Sequence, residues 1–121
     1  MTRKLAIAKT RADLYKSKTE RSMAERLELL KLSAGIDHWR YESQKFKVGG
    51  GWYTPDYQVI AFGHMLQIEV KGHWREAAKL RYRSAAMEYG EYIWVVAKLT
   101  RGVWNFEAYY KEDQAVVDEL L

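Results

Sequence analysis

Asp56, preceded by Pro55, and the run Glu69-Val70-Lys71 set two carboxylates and one amine thirteen residues apart, a spacing that one short β-hairpin closes. Alternate side chains of a strand share a face, so Glu69 and Lys71 point one way while Ile68 and Val70 point the other. The apolar pair is expected in the core under a helix, leaving the acid and amine open to solvent or substrate. Two carboxylates and a main-chain carbonyl, with that of Val70 as the candidate, make an oxygen set suited to Mg²⁺, water completing an octahedron. Such a centre acidifies a bound water and draws charge from a phosphoryl oxygen. Lys71, about one strand pitch away, would orient that water or neutralise charge on the pentavalent phosphorus. The chemistry is hydrolysis of a phosphodiester. The same residues also fit a plain cross-strand ion pair, worth under ~1 kcal/mol.

Placing these groups requires a particular order of elements. Met23, Leu27, Leu30 and Ala34 recur at helical spacing and predict a helix from about Thr19 to Ser33. Ser17 or Thr19 is placed to cap it, and Gly35 stands where a helix end favours a left-handed residue. Strands are predicted over His38–Val48 and Trp52–Ala61, separated by Gly49-Gly50-Gly51, with Pro55 early in the second and off the hydrogen-bond ladder. Phe62-Gly63-His64 turns the chain into a strand over Met65–Lys71. Trp74–Tyr89 reads as an amphipathic helix with Ala77, Leu80, Ala85 and Met87 to Tyr89 packing on one side. A buried strand over Glu91–Ala97, a partner over Val103–Tyr109 and a helix over Lys111–Leu121 complete the order α-β-β-β-α-β-β-α. The fold class is α/β, a mixed central sheet flanked by helices, with a βαβ crossover from third strand to fourth.

At 121 residues the chain has the length of a single domain, here 17–121, behind a basic arm, 1–16. The absence of cysteine excludes disulfides and thiolate zinc sites. No apolar run approaches the ~20 residues needed to span a bilayer, and the apolar stretch near Met1 is short for a secretory signal, so a cytoplasmic location without a membrane partner is expected. The net charge of +4 is uneven. Arg3, Lys4, Lys9, Arg11, Lys16 and Lys18 face a single acid, Asp13, and Arg75, Lys79, Arg81 and Arg83 form a second basic run. Both suit a polyanion, or else ordinary solvated faces. Lys18, His73, Arg75, Lys79 and Arg83 are the candidate DNA-binding residues. One helix cannot point Lys79, Arg81 and Arg83 the same way. Trp74 is expected to anchor its helix on the sheet, with stacking on a splayed base as the functional option.

Pro55-Asp56 … Glu69-Val70-Lys71 resembles the signature of the PD-(D/E)XK, or restriction-endonuclease-like, nuclease superfamily. Ser17-Lys18-Thr19-Glu20, Gly35-Ile36, Tyr41-Glu42, Tyr53-Thr54-Pro55-Asp56-Tyr57 and Glu69-Val70-Lys71-Gly72-His73-Trp74 follow in the order found in Holliday-junction resolvases of the phage T7 endonuclease I type. The similarity covers Ser17 to Ala97. It implies a restriction-endonuclease-like core and a phage-encoded, Mg²⁺-dependent endodeoxyribonuclease for branched DNA, Mn²⁺ substituting, working in the host cytoplasm. Asp56 and Glu69 would bind metal, and Lys71 would stabilise the transition state. Glu20 becomes the further catalytic acid, holding a second ion or positioning water, with Glu25 and Glu42 as rivals. A homodimer is implied, with the first helix exchanged through His38 to Gly51 as linker. The chain departs from that type in its acidic C-terminal residues Glu112, Asp113, Asp118 and Glu119. Competing readings are a nicking or site-specific endonuclease of homing or transposon-end type, and a non-catalytic DNA-binding module that keeps the fold.

Overall fold

The computed structural model describes residues 14–72 and 74–121. The Ser17 side chain accepts the Glu20 N–H at 3.1 Å and so caps the first helix, α1 (Lys18–Leu32), satisfying an amide that has no partner inside the helix. The other end closes as a Schellman motif. Gly35 N–H bonds the Leu30 carbonyl at 2.7 Å and Ala34 N–H bonds the Lys31 carbonyl at 3.0 Å. The left-handed residue is therefore Ala34, at φ 62°, and not Gly35. Glycine follows it for a different reason: a Cβ on Gly35 would lie 3.3 Å from the Leu30 carbonyl oxygen.

Seven strands follow: β1 (His38–Tyr41), β2 (Phe46–Val48), β3 (Gly51–Tyr53), β4 (Tyr57–Ala61), β5 (His64–Val70), β6 (Ile93–Thr100) and β7 (Val103–Ala108). Between β5 and β6 runs α2 (Glu76–Glu88), and after β7 a 3₁₀ turn (Lys111–Asp113) leads into α3 (Gln114–Leu120). Five strands form one mixed sheet in the order β1-β4-β5-β6-β7. Only the β5–β6 pair is parallel, and α2 is its crossover. The predicted strands His38–Val48 and Trp52–Ala61 each break in two. Their inner halves, β2 and β3, leave the sheet as a separate hairpin. The first break follows Glu42, whose φ of 47° ends extended structure, and the second falls at Pro55, which has no N–H for a ladder. Phe62 and Gly63, at φ 50° and 81°, make the two-residue turn between β4 and β5, and Asp37 holds it by accepting the Phe62 N–H at 2.9 Å.

Both sheet faces are covered. On one, Met23 and Leu27 of α1 and Val117 and Leu120 of α3 pack on Tyr57, Val59, Leu66, Ile68 and Val95. On the other, Tyr82, Ala85 and Ala86 of α2 meet Trp94 of β6 and Phe46, Val48 and Tyr53 of the hairpin. The side of α2 expected to be buried is buried only in part: Ala85 is, and Tyr89 is half-buried, but Leu80 and Met87 are largely exposed and Ala77 is exposed. Small alanines and a tyrosine face inward because the hairpin approaches the helix closely. Gln67 is fully buried and donates to Gln58 at 2.8 Å across the β4–β5 ladder. No helix of the described residues is long and apolar enough to cross a membrane.

A non-glycine residue in left-handed backbone costs about 1–2 kcal/mol, part of which glycine returns through its freer unfolded chain. Ala34→Gly is therefore expected to stabilise the chain by ~0.5–1 kcal/mol, read as a higher urea midpoint. A lower midpoint would contradict the left-handed cap at Ala34.

Candidate functional site

The β4–β5 register pairs Tyr57 with Ile68, so one step beyond the ladder Asp56 comes opposite Glu69. Asp56 Oδ2 accepts the Val70 N–H at 2.7 Å, and the Asp56 carbonyl accepts the Glu42 N–H at 2.8 Å. The residue is thus tied to β5 by its side chain and to the end of β1 by its backbone. Glu69 is not open to solvent as the strand alternation alone predicts. The β2–β3 hairpin lies over it, and the Tyr53 hydroxyl donates to Glu69 Oε2 at 2.5 Å. Tyr53, itself buried, is a site residue that sequence reasoning missed as a functional group. Its only signal is an aromatic residue two positions before Pro55.

Glu20 approaches from α1. Its carboxylate accepts from the Tyr41 hydroxyl at 2.7 Å and the Lys16 N–H at 3.1 Å, and its carbonyl accepts from the Tyr57 hydroxyl. Its charge acts on both Asp56 and Glu69. Of its rivals, Glu42 stands beside it, paired with Lys16 at 3.3 Å and also acting on Asp56. Glu25 pairs outward with Arg21 on the exposed surface of α1. Among the described residues no three His, Cys, Asp or Glu side chains converge closely enough to form a ligand group by themselves. The converging set is the pair Asp56 and Glu69, with Glu20 and Glu42 around it. Val70 reaches it through its amide.

Lys71 follows β5 directly, its N–H bonded to the Ala97 carbonyl at 2.7 Å. Its ammonium sits 5.6 Å from the Trp74 ring centre, and it makes no ion pair among the described residues. Lys79 and Arg83, one helical turn apart on α2, line the same cavity as Lys71. Arg81 points elsewhere and acts on Glu69. Arg75 is exposed at the start of α2, and Lys18 is exposed in the first turn of α1. His73 lies outside the described residues, as do Arg3, Lys4, Lys9 and Arg11 of the arm.

Desolvation, then the charge of Glu69, raises Asp56 to about 8 against the opposing hydrogen bond from Val70. Desolvation likewise raises Glu69 to about 7, with the Tyr53 hydrogen bond opposing and Glu20 reinforcing. Burial, then the Glu69 charge, pushes the Tyr53 phenol up as well, so it remains a donor at any ordinary pH. The site is an acidic cluster holding more negative charge than its surroundings solvate. No protein-family model matches the chain, and no curated protein matches it significantly.

Carboxyls raised in the folded state bind extra protons there. Their contribution to stability is full below the ordinary carboxyl range near pH ~4 and is lost as pH rises through about 7 to 8. Without divalent ions, the melting temperature should therefore fall between about pH 5 and pH 8.5. Asp56→Asn keeps an oxygen for the Val70 amide and removes one charge. It should stabilise the protein by ~1–3 kcal/mol at the higher pH and by little at the lower. Calorimetry at both values checks this, and a variant destabilised at high pH would contradict it.

Proposed function

We propose that the chain is a divalent-metal-dependent endodeoxyribonuclease that hydrolyses phosphodiester bonds in branched DNA. The observation that carries this reading is the half-buried pair Asp56 and Glu69, side by side at a strand end, with Lys71 two residues on and lining a basic cavity. A binding module gains nothing from half-buried, mutually repelling acids beside a phosphate path, whereas a cation there relieves their repulsion. The donor set fits a hard divalent ion, since it is carboxylate oxygen without thiolate. Asp56 and Glu69 would hold Mg²⁺ or Mn²⁺, with the Val70 carbonyl as third donor and Glu20 positioning water or a second ion. A bound ion of this kind supplies a more acidic water and withdraws charge from the phosphoryl oxygen.

The remaining roles belong to the chain itself. Tyr53 fixes one oxygen of Glu69, and the Val70 amide fixes one of Asp56, which leaves each carboxylate a second oxygen for other partners. Lys71, held only by the Trp74 ring among the described residues, is available to neutralise charge developing on the phosphoryl group. Lys18, His73, Arg75, Lys79 and Arg83 would contact backbone phosphates, adding affinity that depends on salt and not on sequence. The resemblance to junction resolvases supplies the branched substrate, the phage origin and the homodimer; the exchange of the first helix that it allows is not adopted, since α1 packs on the sheet of its own chain. A C₂ pair would bring two sites to the two scissile strands of a junction.

The test is cleavage of a labelled four-way junction beside a matched linear duplex, in Mg²⁺ and in EDTA, for wild type and Lys71→Ala. Junction cutting that needs the ion and falls ~100-fold or more in the variant is the expected result. Equal cutting of both substrates would remove the branch preference. Cutting at one sequence of a long duplex would indicate a site-specific enzyme. No cutting in Mg²⁺ or Mn²⁺, together with tighter DNA binding by Glu69→Ala, would identify a non-catalytic module.

A further inference from the structure

Beyond Lys71 the sheet face opens into a cavity of about 420 Å³ between α2 and strands β6 and β7. That volume falls within the range of sites for small organic ligands, about 300–1,000 Å³. Four cations, Lys71, Lys79, Arg83 and Lys98, line it against one carboxylate, Glu107. The walls are aromatic: Trp74 stands edge-on to Tyr82 at 5.6 Å between ring centres, and Tyr82 edge-on to Tyr109 at 6.0 Å.

Two polar atoms of these walls are buried without a partner among the described residues, the Tyr82 hydroxyl and the Trp74 indole N–H. Tyr82 is only 4% exposed. The cavity lies near the acidic pair: Lys71, two residues after Glu69, lines it, and the Tyr53 ring, whose hydroxyl donates to Glu69, lies 6.5 Å from that of Tyr82.

A cationic rim suits phosphate, and aromatic walls suit a planar heterocycle. A base still stacked in a duplex presents no face to such a recess. We propose that this cavity receives one unpaired nucleotide of a DNA strand, its base among Trp74, Tyr82 and Tyr109 and its phosphates on Lys79, Arg83 and Lys98. Only the claim that this nucleotide adjoins the scissile phosphate rests on the nuclease reading; the binding does not.

The experiment uses the full chain in EDTA, with a hairpin duplex whose single-stranded overhang carries 2-aminopurine, a base whose fluorescence falls on stacking. Wild type should quench the probe and bind the overhang DNA more tightly than a blunt duplex. Arg83→Ala and Lys98→Ala should each weaken overhang binding about tenfold. Lys31→Ala at the far end of α1 should change nothing. The proposal is overturned if blunt duplex binds equally well or if the cavity variants lose no more than Lys31→Ala. It is also overturned if free 2-aminopurine deoxynucleoside monophosphate binds as tightly as the overhang. Quenching lost in the cavity variants without any Mg²⁺-dependent cleavage would uphold the cavity and sink the nuclease. Cleavage without overhang preference would do the reverse.

Discussion

Where the β4–β5 ladder runs out, the Val70 amide bonds a side chain instead of another strand. By register its next main-chain partner would come from Pro55, and Asp56 Oδ2 takes that place at 2.7 Å. This one substitution draws a carboxylate inward at the sheet end, where burial and the neighbouring Glu69 both resist its ionisation. The rest of the site accommodates it. Tyr53 closes over Glu69, the Glu42 amide steadies the Asp56 backbone, and Tyr57, next in the chain, ties α1 down through the Glu20 carbonyl. A buried amide left unpaired at that point would cost about 1–3 kcal/mol, so the carboxylate is structural as well as chemically poised.

The hairpin that joins Asp56 to Glu69 was legible because its signals are local. Pro55 marks the start, Phe62-Gly63 the turn, and period-two alternation the strands. The split of His38–Val48 was legible in principle, since apolar residues fall at odd positions in Trp39 and Tyr41 and at even ones in Phe46 and Val48. That change of parity marks a change of face. No such shift separates Tyr53 from Tyr57, yet they pack on opposite sides of the sheet, so only Pro55 betrayed the break. The inward face of α2 misled because bulk and burial part company there. Leu80 and Met87 remain outside while alanines face a hairpin whose position depends on tertiary packing. Tyr53 and the aromatic cavity were invisible for the same reason, being assembled from segments distant in sequence.

The sheet separates two kinds of packing. Aliphatic residues of α1 and α3 dominate one face, and tyrosines and tryptophans dominate the other. Aromatic rings bring polar tips into a largely apolar layer, which lets that face support both a half-buried Glu69 and a basic cavity beside it. An aliphatic layer there would leave the carboxylate without a donor.

Asp56 and Glu69 lie on adjacent strands joined by a two-residue turn, whereas Glu20 and its helix dock from far along the chain. Closing a hairpin takes microseconds and needs little loop entropy, so the like charges can meet before α1 docks and adds the charge of Glu20 to theirs. The acidic pair is thus also a kinetic obstacle, one that protonation lowers and that the folded cluster no longer reveals.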